Sequence, residues 1–202
     1  AGRANKYREL FSTMITEWRT AFGDEFPFYF VQISPFNYRG VNSAHLRESQ
    51  FDTLSLRNTG MAITMDIGNL TDIHPKNKQE VGRRLALWAL AKDYGRDVAY
   101  SGPLYKGVVF QVGQARLSFT HATGGLKTLD GNAPTHFEIA GSDNVFHPAT
   151  VSIEGEELLV WSEKVSEPGS VRYAFSNDAM PNLVNEAGLP ASSFRTARPS
   201  SD

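Results

Sequence analysis

Between positions 4 and 21 the apolar residues fall three and four apart: Tyr7, Leu10, Phe11, Met14, Ile15 and Trp18, with Arg8, Glu17 and Arg19 between them. That spacing lays one apolar stripe along a helix, and Gly23 supplies a terminator. The run Phe28-Tyr29-Phe30-Val31-Gln32-Ile33, bracketed by Pro27 and Pro35, shows no alternation. It reads as a strand buried on both faces, as in a parallel sheet. A loop over 36–43 and a helix over 44–54 follow, the helix carrying Leu46, Phe51 and Leu54 on one side. Met61-Ala62-Ile63-Thr64-Met65 is a second buried strand. A loop rich in Asp, Gly and Asn spans 66–75. A long helix is predicted over 76–93, with Val81, Leu85, Trp88 and Ala89 as its stripe, the rest of its face wet, and Gly95 at its end.

Helix, strand, helix, strand, helix is the order of an α/β domain with a parallel sheet. Two parallel strands leave their apolar faces short of neighbours. The pattern therefore predicts further strands from a preceding segment or from another chain. After about residue 97 the period changes. Val108–Val112, Arg116–Thr120, Phe137–Ala140, Thr150–Ile153, Leu158–Ser162 and Val171–Phe175 are short strand candidates, separated by turns such as Thr123-Gly124-Gly125 and Asp130-Gly131-Asn132. Alternation in Arg116–Thr120 fits a half-buried strand. These features predict two domains: an α/β part over 1–96 and an antiparallel β-sandwich or jelly roll over 97–202. The tail over 182–198 reads as irregular, and the last few residues as disordered.

Composition narrows the picture only by exclusion. The chain has 202 residues, 41% of them apolar, enough for a real core in one large or two small domains. A net charge of -2 provides no general pull toward nucleic acid or anionic membrane, so neither is expected as a partner. The absence of Cys removes disulfides, thiolate catalysis and cysteine-based zinc sites, and leaves the compartment open. No window of eighteen apolar residues marks a spanning helix. The first residues show neither an initiator Met nor an apolar leader, and the stretch reads as cut at its start.

The residue that stands out chemically is His74, in Asp72-Ile73-His74-Pro75. It lies in the loop between a buried parallel strand and a helix, and ligands of open α/β sheets bind beyond the carboxyl ends of the strands. A neutral His takes a proton from a serine hydroxyl when a carboxylate fixes its tautomer, and Asp72 and Asp66 are both near in sequence. Pro75 fits the first position of the following helix. The competing reading makes Asp72 a helix N-cap and His74 an ordinary loop residue. Gln32 and Asn37, at or past the end of the first strand, are candidate substrate contacts that could equally serve a turn. Tyr38 and Tyr105 could stack on a sugar. His121, His136 and His147 match no compact metal-ligand spacing. Arg47 could bind a carboxylate, but it reads more simply as a solvated helix residue, as do Lys76, Lys78, Arg83 and Arg84.

The stretch TGMAITMDIGNLTDIHPKNKQEVGRRLALWALAKDYG, residues 59–95, resembles the final conserved segment of the sialate O-acetylesterase family of SGNH hydrolases. NKYRELFSTMITEWRTAFG, FPFYFVQISPF and LRESQ resemble the stretch before it. YSGPLY, VRYAFSN and NLVNEAGLPASSFRT resemble the family's C-terminal region. The resemblance implies the C-terminal part of an SGNH (flavodoxin-like) three-layer domain followed by a small β-sandwich region. It also implies hydrolysis of O-acetyl esters of sugars, typically on the glycerol side chain of sialic acid, with no metal or organic cofactor. The family's catalytic His matches His74. Its acid partner usually stands three residues earlier, where this chain has Thr71, so Asp72 takes that role with Asp66 in reserve. The family's Gly-Asp-Ser block, which carries the nucleophile, has no counterpart here. The nucleophile and the oxyanion hole are thus expected in a preceding segment, which becomes a partner of this stretch alongside the acetylated sugar, and this stretch alone is expected to be inactive. Acetylated xylan is an alternative substrate. A carbohydrate-binding module over 97–202, or a β region that only packs and shapes a rim, are the readings from other classes.

Overall fold

The computed structural model describes residues 3–198. The chain divides into two compact units, one running to Ser101 and including Ser176–Asp178, the other comprising Gly102–Phe175 and the residues from Ala179 onward.

In the first unit, helix α1 (Ala4–Phe22) ends at Gly23, whose φ of 63° is left-handed. Strand β1 (Phe28–Val31) runs parallel to β2 (Thr59–Ala62), with helix α2 (Ala44–Asp52) between them in sequence. Helix α3 (Lys78–Lys92) packs on both strands. Gly60 makes that packing possible. A Cβ there would lie 2.4 Å from the Trp88 ring, whose indole N–H donates to the Met61 carbonyl at 3.1 Å.

Several expectations need correction. Only Phe30 of β1 is buried, because β1 has a single ladder partner among the described residues. On α1, Leu10 and Trp18 are exposed, while Arg19 is buried and donates to the carbonyls of Phe26 and Asn58. Arg47 is fully buried rather than solvated, and so is most of Arg84. Pro75 is not the first helical residue. Helix α3 begins at Lys78, and Asn77 caps it by accepting from the Glu80 N–H at 3.1 Å. No helix of the described residues is long and apolar enough to cross a membrane.

The second unit is antiparallel throughout. Strands β3 (Leu104–Gln111), β4 (Gln114–Thr120), β8 (Thr150–Glu154) and β9 (Glu157–Trp161) form one sheet in the order β3-β4-β9-β8. Strands β6 (Phe137–Ala140), β7 (His147–Pro148), β10 (Ser170–Tyr173) and β12 (Phe194–Arg195) form another in the order β12-β10-β6-β7. β5 (Leu126–Thr128) pairs with β11 (Leu183–Asn185). Alternation in β4 sends Ala115, Leu117 and Phe119 inward. Phe194 is where the two larger sheets meet: its ring stacks on Tyr105 at 4.7 Å and also reaches Phe119, Phe137 and Tyr173. The expectation of an irregular tail over 182–198 is overturned. Leu183, Val184, Leu189, Ala191 and Phe194 are buried, and two short strands in this stretch find partners far away in sequence. Such short segments carry no period of their own to read. The final residues, expected to be disordered, lie outside those described.

Candidate active site

The strand β2 leads into a buried segment through Met65, and the chain turns at Met65 and Asp66 into the loop that carries His74. Two devices fix this loop. At its start, the Arg84 guanidinium grips the Asp66 carboxylate with two bonds of 2.6 Å and donates to the Ile63 carbonyl at 2.6 Å. Asp66 is thus committed to Arg84, in the fork geometry that suits a guanidinium and a carboxylate. Glu80, one turn before Arg84, binds both Arg83 and Arg84. The hydrogen bond from Arg83 and the Arg84 charge hold the Glu80 carboxyl down at about 2. At the far end of the loop stands the Asn77 cap.

Within the loop, Asn69 Oδ1 accepts from the N–H groups of Thr71 and Asp72. Asp72 Oδ1 in turn accepts from the His74 N–H at 2.9 Å and lies 3.2 Å from His74 Nδ1. Asp72 therefore closes an Asx turn around His74 and caps no helix. The His74 N–H and ring hold the Asp72 carboxyl below its ordinary range. A His that donates from Nδ1 keeps its lone pair on Nε2, the tautomer a general base needs. The His74 side chain is 84% exposed, open to a reactant.

A cleft of about 430 Å³ opens at the carboxyl ends of both strands. Gln32 and Thr64, which follow β1 and β2, line it together with Tyr38, Ile73, Pro75 and Lys78. Gln32 is fully buried, and its carbonyl accepts from the Thr64 hydroxyl at 2.6 Å. The neighbours of His74 on either side thus share a wall with Gln32. Asn37 is placed elsewhere, on a second depression of about 510 Å³ lined also by Tyr38, Arg39, Asn42, Asn177 and Asp178. Tyr38 is common to both.

Sequence reasoning missed Arg84, Tyr38 as a shared wall, and Asn177. The signal for Arg84 was present: it stands three after Val81 and four before Trp88, inside the apolar stripe. Asn177 had none, since its partners lie 134 to 139 residues away. Among the described residues no group of three His, Asp or Glu side chains gathers as a metal ion would require.

No protein-family model matches the chain. It is 28% identical to the sialate O-acetylesterase of Mus musculus and 30% identical to that of Rattus norvegicus, in each case over 57% of this chain and 25% of the relative. A crystal structure of a carbohydrate acetylesterase from Xanthomonas citri superposes with a TM-score of 0.91 at 45% identity, over 95% of this chain and 46% of that one. The chain thus spans about a quarter of the curated relatives it matches and just under half of the solved one. Taken with the fold and the loop around His74, these likenesses make the chain similar to a part of the sialate O-acetylesterases and of a carbohydrate acetylesterase.

Proposed function

We propose that this chain belongs to a carbohydrate O-acetylesterase of the serine–histidine type, with acetylated sialic acid as its leading substrate. The observation that carries the reading is the His74–Asp72 pair on the rim of a cleft at the ends of two parallel strands. The 45% identical carbohydrate acetylesterase supports it. In this mechanism a serine from outside this stretch gives its proton to His74 Nε2 as Oγ attacks the acetyl carbonyl. The imidazolium, steadied by Asp72, then protonates the sugar oxygen as the ester C–O bond breaks. Water, deprotonated by the same His, releases acetate from the acetyl-enzyme. Gln32 lines the cleft on the acyl side, and Asn37 stands outside it, on the neighbouring depression. No step calls for a metal or organic cofactor.

The same reading takes β1 and β2 as part of a larger parallel sheet with helices on both faces, the three-layer SGNH arrangement. The single ladder partner of β1 is in keeping with it. A preceding segment then supplies the remaining strands, the serine and the oxyanion hole, and this stretch alone hydrolyses no ester.

The test is His74→Ala in the intact protein, assayed on an acetylated sugar and on a chromogenic acetyl ester. Loss of a general base predicts a fall in kcat of about 10²–10⁴-fold. Turnover near the unaltered level would sink the assignment.

A further inference from the structure

The depression beside the cleft has groups that the folded chain does not use. Asn177 is fully engaged. Its Oδ1 accepts from the Ser43 N–H at 2.6 Å, its Nδ2 donates to the carbonyls of Tyr38 and Val41, and its own carbonyl accepts from the Phe36 N–H. It acts as a post around which the loop 36–43 is wound. Asn42 is also engaged, its Oδ1 capping the Ala44 N–H at 2.9 Å. Phe36 steadies Tyr38 by an edge-to-face contact at 4.9 Å. The wall is therefore built before any ligand arrives, which lowers the ordering cost of binding.

What remains on this wall is exposed: the Asn37 side-chain amide, the Arg39 guanidinium and the Asp178 carboxylate. Among the described residues neither the Asn37 amide nor the Arg39 guanidinium has an internal partner. Asp178 accepts only from the Ser176 hydroxyl, at 2.9 Å. Donors and acceptors thus stand together around the half-buried Tyr38 ring. An apolar ligand would desolvate these groups without repaying them. A bare anion such as phosphate meets Arg39 but also the like charge of Asp178. A ring bearing adjacent hydroxyls on one edge and C–H groups on its face satisfies all of them. A volume of about 510 Å³ lies within the range of small-molecule sites, roughly 300–1,000 Å³.

We propose that this depression is the subsite that holds the sugar ring, with Arg39 and Asp178 as the residues that read it and Tyr38 as the boundary between sugar and acetyl group. The proposal rests on the esterase reading above and adds the place where the sugar lies. Asn177 is a positioning residue that shapes the wall.

Arg39→Ala and Asp178→Asn, made separately in the intact protein, test it with two esters: an acetylated sugar and p-nitrophenyl acetate, which has no sugar. Each loss of a charge-assisted hydrogen bond should lower kcat/KM on the sugar ester by about tenfold to a hundredfold, mainly through KM. The fall on p-nitrophenyl acetate should be at least tenfold smaller. A ratio of the two activities that stays at the unaltered value in both variants overturns the subsite. An unaltered protein that cleaves neither ester defeats the esterase reading instead, so the two failures are distinguishable.

Discussion

The two units of this chain are held by different chemistry. Every charged residue that is buried among the described ones lies in the first: Arg19, Arg47, Glu48 and Arg84. The bonds of the three arginines tie loop backbone and strand ends together. Arg19 reaches two carbonyls, Arg47 the Ser43 hydroxyl and the Ser176 carbonyl, and Arg84 the Ile63 carbonyl with Asp66. Burial pushes the Arg47 guanidinium down to about 10, against an opposing effect of Tyr38. The second unit buries no charge among its described residues. Its core is largely aliphatic and aromatic, with the neutral amides of Asn182 and Asn185 buried beside it, and Arg116 and Arg172 pair with partly exposed carboxylates. A buried charge is costly unless each of its bonds is made, so it specifies position sharply. Apolar packing rewards volume and tolerates small shifts. The difference teaches that the unit bearing the candidate site fixes its loops with buried charged side chains, whereas the β unit fixes its own with neutral amides, Asn182 and Asn185, around an apolar interior.

One pair of substitutions tests this contrast most severely. Arg84→Met strands the Asp66 carboxylate and should cost about 3–5 kcal/mol in denaturant unfolding. Adding Asp66→Asn should restore part of that loss, because the uncompensated charge is then gone. Phe194→Ala in the β unit should also cost about 3–5 kcal/mol, and no nearby polar change should rescue it. If Asp66→Asn gives no rescue, the directional account of the first unit is broken.

A smaller effect is expected from Asp72→Asn. It keeps the turn's side-chain oxygen but removes the charge opposite His74. The loss of one charge-assisted bond, about 1.5–3 kcal/mol, corresponds to a fall of about tenfold to a hundredfold in kcat/KM on an acetyl ester. An unchanged rate would reduce Asp72 to a turn former.

The mildest test is acid titration of stability. Glu80 sits at about 2 in the folded protein against an ordinary value of 4.5. A depressed carboxyl contributes stability that is fully present above its unfolded value and is lost as the pH falls through its folded one. Unfolding free energy should therefore decline between pH 4.5 and about 2, and Glu80→Gln should flatten that part of the profile. An identical slope in the variant would remove Glu80 from the account.

Much of this was legible in the sequence where periodicity is strong. α1 and α3, the parallel pairing of β1 with β2, and the strands β4, β6 and β9 follow from their spacing. The placement of His74 after a buried strand follows too, and so does Asp72 beside it, since two residues of separation is a local relation. Legibility fails where a polar side chain is buried or a segment is short. Arg47 looks like a wet helix residue, and so does Arg84 apart from its place in the apolar stripe, because sequence shows hydrophobicity but not the carbonyls and carboxylates that receive them. The strands at Leu183–Asn185 and Phe194–Arg195 look irregular because two or three residues hold no period.

The order of residues by itself determined the change from α/β to antiparallel β, the loop that carries His74, and the residue types able to move a proton there. Tertiary structure decided which carboxylate faces His74. Asp66 and Asp72 are both close to His74 in sequence, yet a bidentate bond to Arg84, eighteen residues on, takes Asp66 away. It also brought Asn177 to the loop 36–43 and Tyr38 to both hollows. Short-range relations are fixed by backbone geometry and can be read along the chain. Hydrogen bonds between distant segments exist only once packing has excluded the water that would otherwise satisfy each partner.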